Sequence, residues 1–370
     1  MNESRAARHQ RLRRRGQTVA AAGGIVLLAV LALTPAGRSL AEWADGVTAG
    51  LPGLLAPAAG LVLFVAVVVS GWEAATLPAL LVSGPVRAGD GLRGGPMLSG
   101  AAVGLVVAFP AVLAVAVSIQ FAAFVSGTTW WLTAGILVAT ALVVLMHSLP
   151  GLLARLSGAR PVTRPALVER LGALSRRIHV PIHSIDELPA GSAATGAALV
   201  AGGGSGRRVF IAADLIRDWS DEEVAFVVAH EFAHHAHRDL WYTLALDTAL
   251  LIASFFVADR MVSLLAAPLA LPPIGSHAVL PFVALVVALV WTASAPVRHA
   301  VSRGQERRAD DFALRLTGSA DAFRTALRRL ASQHLAEESP SRITRWLFHR
   351  HPSVAERLAT ADQYDKTAYR

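Results

Sequence analysis

Residues 221–240 read DEEVAFVVAHEFAHHAHRDL, and this stretch decides how the rest of the chain is read. Ser220 stands just before it, with Glu223 three residues on and an apolar run behind, so a capping box starts a helix here. On that helix His230 and His234 are four residues apart and share one face, with Glu231 between them. In this HExxH spacing two imidazoles grip one metal ion, and the glutamate stands where it can take a proton from an attacking water. His235 points off the ligand face and reads as a solvated or supporting residue. His237 lies one turn beyond His234 and could compete for the metal, although the motif needs only the first pair. The bland alternative is a helix that carries surface histidines. The chain has no cysteine, which excludes disulfides, iron–sulfur clusters and thiolate zinc sites, so any metal must be held by His, Asp or Glu.

The surroundings are apolar. Of 370 residues 54% are hydrophobic and only 16% charged, where a soluble domain carries about a quarter charged, so the composition points to a membrane protein. The net charge of +8 comes almost wholly from arginine, Lys366 being the only lysine. These arginines sit beside apolar runs and form no tail with interleaved aromatics, so they speak for membrane topology and against nucleic acid. A basic N-terminus precedes the first apolar run, read as an uncleaved anchor. Further runs lie within 54–82, 98–125, 129–149, 241–265 and 278–296, which makes about six spans. Arg87, Arg93, Arg155, Arg160 and Arg164 mark the loops that face the cytoplasm under the positive-inside rule.

The expected organisation follows from this. Residues 1–149 are an N-terminal membrane region with four spans, and 150–240 a cytosolic segment that carries the HExxH helix. Residues 241–297 form a transmembrane hairpin, and 298–370 a second cytosolic segment that completes the site. Within the first cytosolic segment, AALVA and RRVFIAA flank GGGSG and read as a β-hairpin. The fold class is therefore mainly α: a polytopic helical membrane protein with a cytosolic α+β zincin-like domain. The N-terminus and that domain are expected on the cytoplasmic side, and the arginine-heavy composition suits a bacterial cell membrane.

A hydrolytic zinc site needs a third protein ligand. SRGQERRADDFA (302–313) offers Glu306 and Asp310, four apart on a helical stretch. One carboxylate could bind metal while the other accepts the remaining N–H of a ligating histidine; an exposed charged face is the alternative. The order DEEVAFVVAHEFAHHAHRD, an apolar hairpin, SRGQERRADDFA and then HPSVAERL (351–358) resembles the integral-membrane zinc metallopeptidases typified by HtpX and CAAX prenyl protease 1. The resemblance covers about 165–360. It implies one zinc ion per chain with Glu306 as third ligand, Asp310 supporting His230, and endopeptidase activity facing the cytosol. It also implies that His351 and Arg357 stand near the substrate carbonyl and steady the oxyanion. Where family members carry an Asn-Ala step, this chain has Ser192-Ala193, which affects how a peptide aligns on the edge strand.

Glu73 and Asp247 lie in otherwise apolar spans, where a charge faces either a wet interior or an interfacial partner. The expected function is zinc-dependent hydrolysis of membrane or membrane-associated proteins, with quality control as its use. The competing class is a membrane signalling or scaffold protein that keeps zinc without turnover.

Overall fold

The computed structural model describes residues 5–83, 96–189, 198–333, 337 and 339–368. Arg87, Arg93 and the Ser192-Ala193 step lie outside them. The chain runs through α1 (Arg5–Leu33), α2 (Ala36–Thr48), α3 (Leu55–Ser83), α4 (Pro96–Ser126) and α5 (Trp130–Leu156) before the first strand. Next come β1 (Arg160–Pro161), α6 (Pro165–Arg177), β2 (Ser184–Leu188), β3 (Ala198–Ala201), β4 (Arg208–Ala212) and α7 (Ala213–Asp218). The remaining helices are α8 (Asp221–Ala236), α9 (Asp239–Leu265), α10 (Leu280–Thr317), α11 (Ala320–Gln333), α12 (Arg342–Phe348) and α13 (Val354–Ala368).

Among the described residues five stretches are long and apolar enough to cross a membrane, and one of them, Leu105–Leu156, is 52 residues long. A single helix of that length would measure about 78 Å, more than twice the hydrocarbon thickness of a bilayer. It is in fact two helices, α4 and α5, broken at Gly127–Thr129, where Gly127 takes φ +52. With α1, α3, α9 and α10 this gives the six apolar helices that the hydropathy pattern predicts.

The chain divides into two compact units. The apolar one comprises Arg11–Ala141 and Ala245–Ser294. Its core gathers Phe64, Trp130, Phe255, Val279 and Val283. Helices α1 and α3 approach closely: a Cβ on Gly23 would lie 2.5 Å from the Ala75 carbonyl oxygen, so only glycine fits. Asp259 is buried in this core, and its cost is met by a 2.8 Å hydrogen bond from Trp130 Nε1 and by the Arg260 guanidinium. Residues 36–48, between the first two apolar runs, form α2, which buries Gly37, Ala41, Ala44 and Thr48 along one face. Glu73 and Asp247 are half-buried.

The second unit comprises Leu142–Leu244 and Ala295–Arg370, with the start of the chain up to Gln10. Its four-stranded sheet has the order β1-β2-β4-β3. β2 and β4 are parallel, and β3 pairs with β4 antiparallel through Leu199–Phe210 and Val200–Val209, the hairpin expected around GGGSG. Among the described residues β3 has no other strand partner. Helix α8 is apolar on nearly every side: Val224 through His230 are buried, as are Phe232 and Ala233. It fits because it lies in the middle of the core, against α6, α11 and β3. Phe226 of α8 meets Phe323 of α11 with ring centroids 4.7 Å apart. A helix packed this way cannot turn, which is what a rigid ligand platform requires.

Candidate active site

The capping box forms as the sequence predicts. Glu223 N donates to Ser220 Oγ at 3.2 Å, and Ser220 N donates to Glu223 Oε2 at 2.9 Å. It fixes the phase of α8, so His230 and His234 emerge on one face with their rings 5.0 Å apart and nearly perpendicular. Glu306 faces them from α10. Its Oε2 lies 3.3 Å from His230 Nε2, and its Oε1 lies 3.7 Å from His234 Nε2. Ligand atoms at 2.0–2.1 Å from one tetrahedral ion are themselves separated by about 3.3–3.4 Å. The three side chains thus stand where a zinc-sized ion would hold them, and one donor atom from each lies within 4.8 Å of the others. Glu306 Oε2 is buried and poorly aligned with its neighbouring N–H groups for a hydrogen bond, as a lone pair aimed at a cation would be. These observations fit a metal.

Each histidine has a carboxylate behind it. His230 Nδ1 is 3.0 Å from Asp310 Oδ1, a hydrogen-bond distance with imperfect alignment. His234 Nδ1 is 2.9 Å from Asp239 Oδ2 and forms a good hydrogen bond. With Nδ1 held, Nε2 of each ring faces the site with its lone pair. Burial disfavours a charge on His230, but Asp310 and Glu306 outweigh it, and the imidazole is pushed up to about 9. The group is electrostatically built to hold a cation. Glu231 is near enough to His230, His234, Glu306 and His351 for their charges to act on it; burial raises its carboxyl above the usual range. A raised pKa suits a carboxylate that accepts a proton and passes it on.

The C-terminal motif closes the site. Ser353 and Glu356 form a second capping box, with Ser353 N donating to Glu356 Oε2 at 2.9 Å and Glu356 N to Ser353 Oγ at 3.2 Å. That sets the first turn of α13 and aims Arg357 back at Asp310. Its Nε and Nη2 donate to the two Asp310 oxygens at 2.8 and 2.6 Å. Burial opposes the charge on Arg357, but Asp310, Glu306 and Glu231 together favour it. His351 is two-thirds exposed, with Nδ1 3.0 Å from Glu306 Oε2. Every candidate residue therefore converges on one locus.

The other two histidines of the cluster leave it. His235 Nε2 lies 3.0 Å from the Val200 carbonyl and its Nδ1 accepts from Arg207, so it ties α8 to β3. Burial lowers its pKa, as suits a neutral ring in that role. His237 caps α8 and packs its ring on Phe312.

Asp239 is the residue the motif reading overlooks. The sequence suggests that the helix continues through Asp239, but α8 ends at Ala236 and Arg238 adopts φ +58. That reversal brings Asp239, first residue of α9, back under His234. It is 3% exposed and also accepts from Arg308 Nη2 at 3.0 Å. The only sequence signal is an acid five residues past the second histidine. Asp239→Asn is expected to weaken metal affinity about 10–100-fold, the usual cost of losing a carboxylate behind a ligating histidine. Competition against a graded zinc chelator would measure it, and unchanged affinity would remove Asp239 from the site.

His230, His234 and Glu306 form a group able to hold a metal ion, with His230 and Glu306 buried and His234 half-buried, on a chain whose described residues include six helices apolar enough to cross a bilayer. A sequence model of Peptidase family M48 matches residues 190–365. An uncharacterized metalloprotease of Bacillus subtilis, YhfN, is 26% identical over 241 residues, which cover 63% of this chain and 56% of the relative; the chain thus aligns with just over half of that relative's length. The crystal structure of S. mikatae Ste24p aligns with a TM-score of 0.68 at 14% identity, covering 88% of this chain and 80% of the other. At that identity the likeness is one of fold.

Proposed function

We propose that this protein is a zinc-dependent metalloendopeptidase that cleaves membrane or membrane-associated proteins at the cytosolic face, in the service of protein quality control. The observation that carries the proposal is Glu231, set among His230, His234 and Glu306. A site that holds zinc for structure alone fills its coordination with ligands and has no use for a carboxylate at that place. The donor set of two imidazoles and one carboxylate, without thiolate, suits zinc.

His230, His234 and Glu306 would hold the ion, and Asp310 and Asp239 keep the two rings oriented. Zinc, when bound, supplies the Lewis acidity that makes water nucleophilic near neutral pH. Glu231 takes a proton from the attacking water as the new C–O bond forms, then delivers it to the amide nitrogen as the C–N bond breaks. His351, at the exposed edge beside Glu306, donates toward the oxygen on which negative charge develops, and Arg357 adds its fixed positive charge. An extended peptide added to the edge of β3 would run beside α8, since His235 fastens that strand to the helix.

The test uses the purified full chain with an unstructured protein substrate and mass-spectrometric identification of the products. Stoichiometric zinc should support internal cleavage, chelation should abolish it, and added zinc should restore it. Cleavage that survives complete removal of metal contradicts the proposal.

A further inference from the structure

Beside the candidate site, α10 and α12 enclose a cleft of about 500 Å³ that the peptidase reading does not use. Four arginines line it, Arg303, Arg307, Arg342 and Arg345, with Glu356 as the one acid. Glu356 is engaged by Arg345, and Arg303 donates to the carbonyls of Arg345 and His349 at 3.2 and 2.7 Å. Arg307 and Arg342 are exposed and have no carboxylate partner among the described residues. The cleft is thus strongly cationic, with two guanidinium groups available to a ligand. Its rim is apolar: in the seven-residue α12, RITRWLF, Ile343 is 72% exposed and Trp346 54%, and Leu347 and Phe348 are exposed as well.

Exposed aliphatic and aromatic side chains interleaved with arginine are what an anionic membrane surface binds: the rings and chains enter the headgroup boundary and the cations meet phosphate. The position along the chain agrees, since Ala300 and Arg303 follow within a few residues the apolar run that begins α10. A bare acidic peptide would satisfy the arginines but leave the rim in water. We propose that this cleft takes the headgroup of an anionic phospholipid, with Trp346 and its apolar neighbours set among the acyl chains. The inference rests on the membrane-spanning fold and is independent of the peptidase reading.

The full chain in nanodiscs of phosphatidylcholine, with or without phosphatidylglycerol, provides the test. Brominated acyl chains quench nearby tryptophans, and the difference between wild type and Trp346→Phe isolates Trp346. Quenching of that component should be stronger with phosphatidylglycerol. In a second measurement, native mass spectrometry, Arg307→Gln/Arg342→Gln should lower the preference for phosphatidylglycerol over phosphatidylcholine by about 25-fold, about fivefold per arginine. Both variants alter exposed side chains, and thermal unfolding checks that they fold. Either of two results would overturn the proposal: a preference unchanged in the double variant, or Trp346 shielded by a glutamate-rich peptide and not by lipid.

Discussion

Glu231→Gln is expected to bind its metal with wild-type stoichiometry and to lose peptide hydrolysis by a factor of about 10²–10⁴. The amide keeps the size and much of the polarity of the carboxylate, so α8 packs as before and His230, His234 and Glu306 keep their positions. What disappears is the capacity to accept a proton. The size of the loss follows from general-base catalysis, and it should fall in kcat with little change in KM, because in the proposed mechanism Glu231 handles a proton that moves only in the transition state. Steady-state kinetics with a quenched peptide, beside metal analysis of the same preparation, would show it. A variant that loses metal along with activity would shift Glu231 from proton transfer to holding the site together.

The second large effect is expected at Arg357. Its guanidinium is the bidentate partner of Asp310, whose side chain is 1% exposed. Replacing Arg357 with methionine leaves that carboxylate buried beside His230 without its cation. Breaking such a pair costs about 3–5 kcal/mol. Unfolding in detergent should register the loss. Arg357→Met/Asp310→Asn should be less destabilised than the sum of the two single variants, since the double variant removes the orphaned charge as well. Simple additivity would mean that the two residues act separately. A charge supplied by Arg357→Lys should recover part of the stability while losing the two-pronged geometry.

Much of this site was legible because its chemistry is local. HExxH needs only the periodicity of one helix, and the Ser220–Glu223 box sets where that helix begins. Glu306 and Asp310 were legible as a pair, but one helix cannot say which ring nitrogen each of them meets; in the structure Glu306 lies against His230 Nε2 and Asp310 against His230 Nδ1. The path of Arg357 was hidden, although Ser353 and Glu356 spell a capping box in the sequence and could have announced the start of α13. Asp239 was harder to see, because its placement turns on a single residue, Arg238, with positive φ, a conformation that an arginine rarely adopts and no composition signals. The six apolar helices follow from hydropathy. Helix α2 does not, because it is only 13 residues long and carries Arg38, Glu42 and Asp45, so it cannot be read as a span even though its apolar residues recur at helical spacing.

One metal ion is expected to join α8 to α10 through His230, His234 and Glu306. X-ray absorption at the zinc edge, on the purified full chain, tests it most directly. The expected spectrum shows two imidazole nitrogens and carboxylate oxygen at about 2.0–2.2 Å, with the oxygen shell altered in Glu306→Ala. A spectrum with three or four imidazoles, or one that Glu306→Ala leaves unchanged, would rule out Glu306 as a ligand and return the metal to the histidine cluster alone.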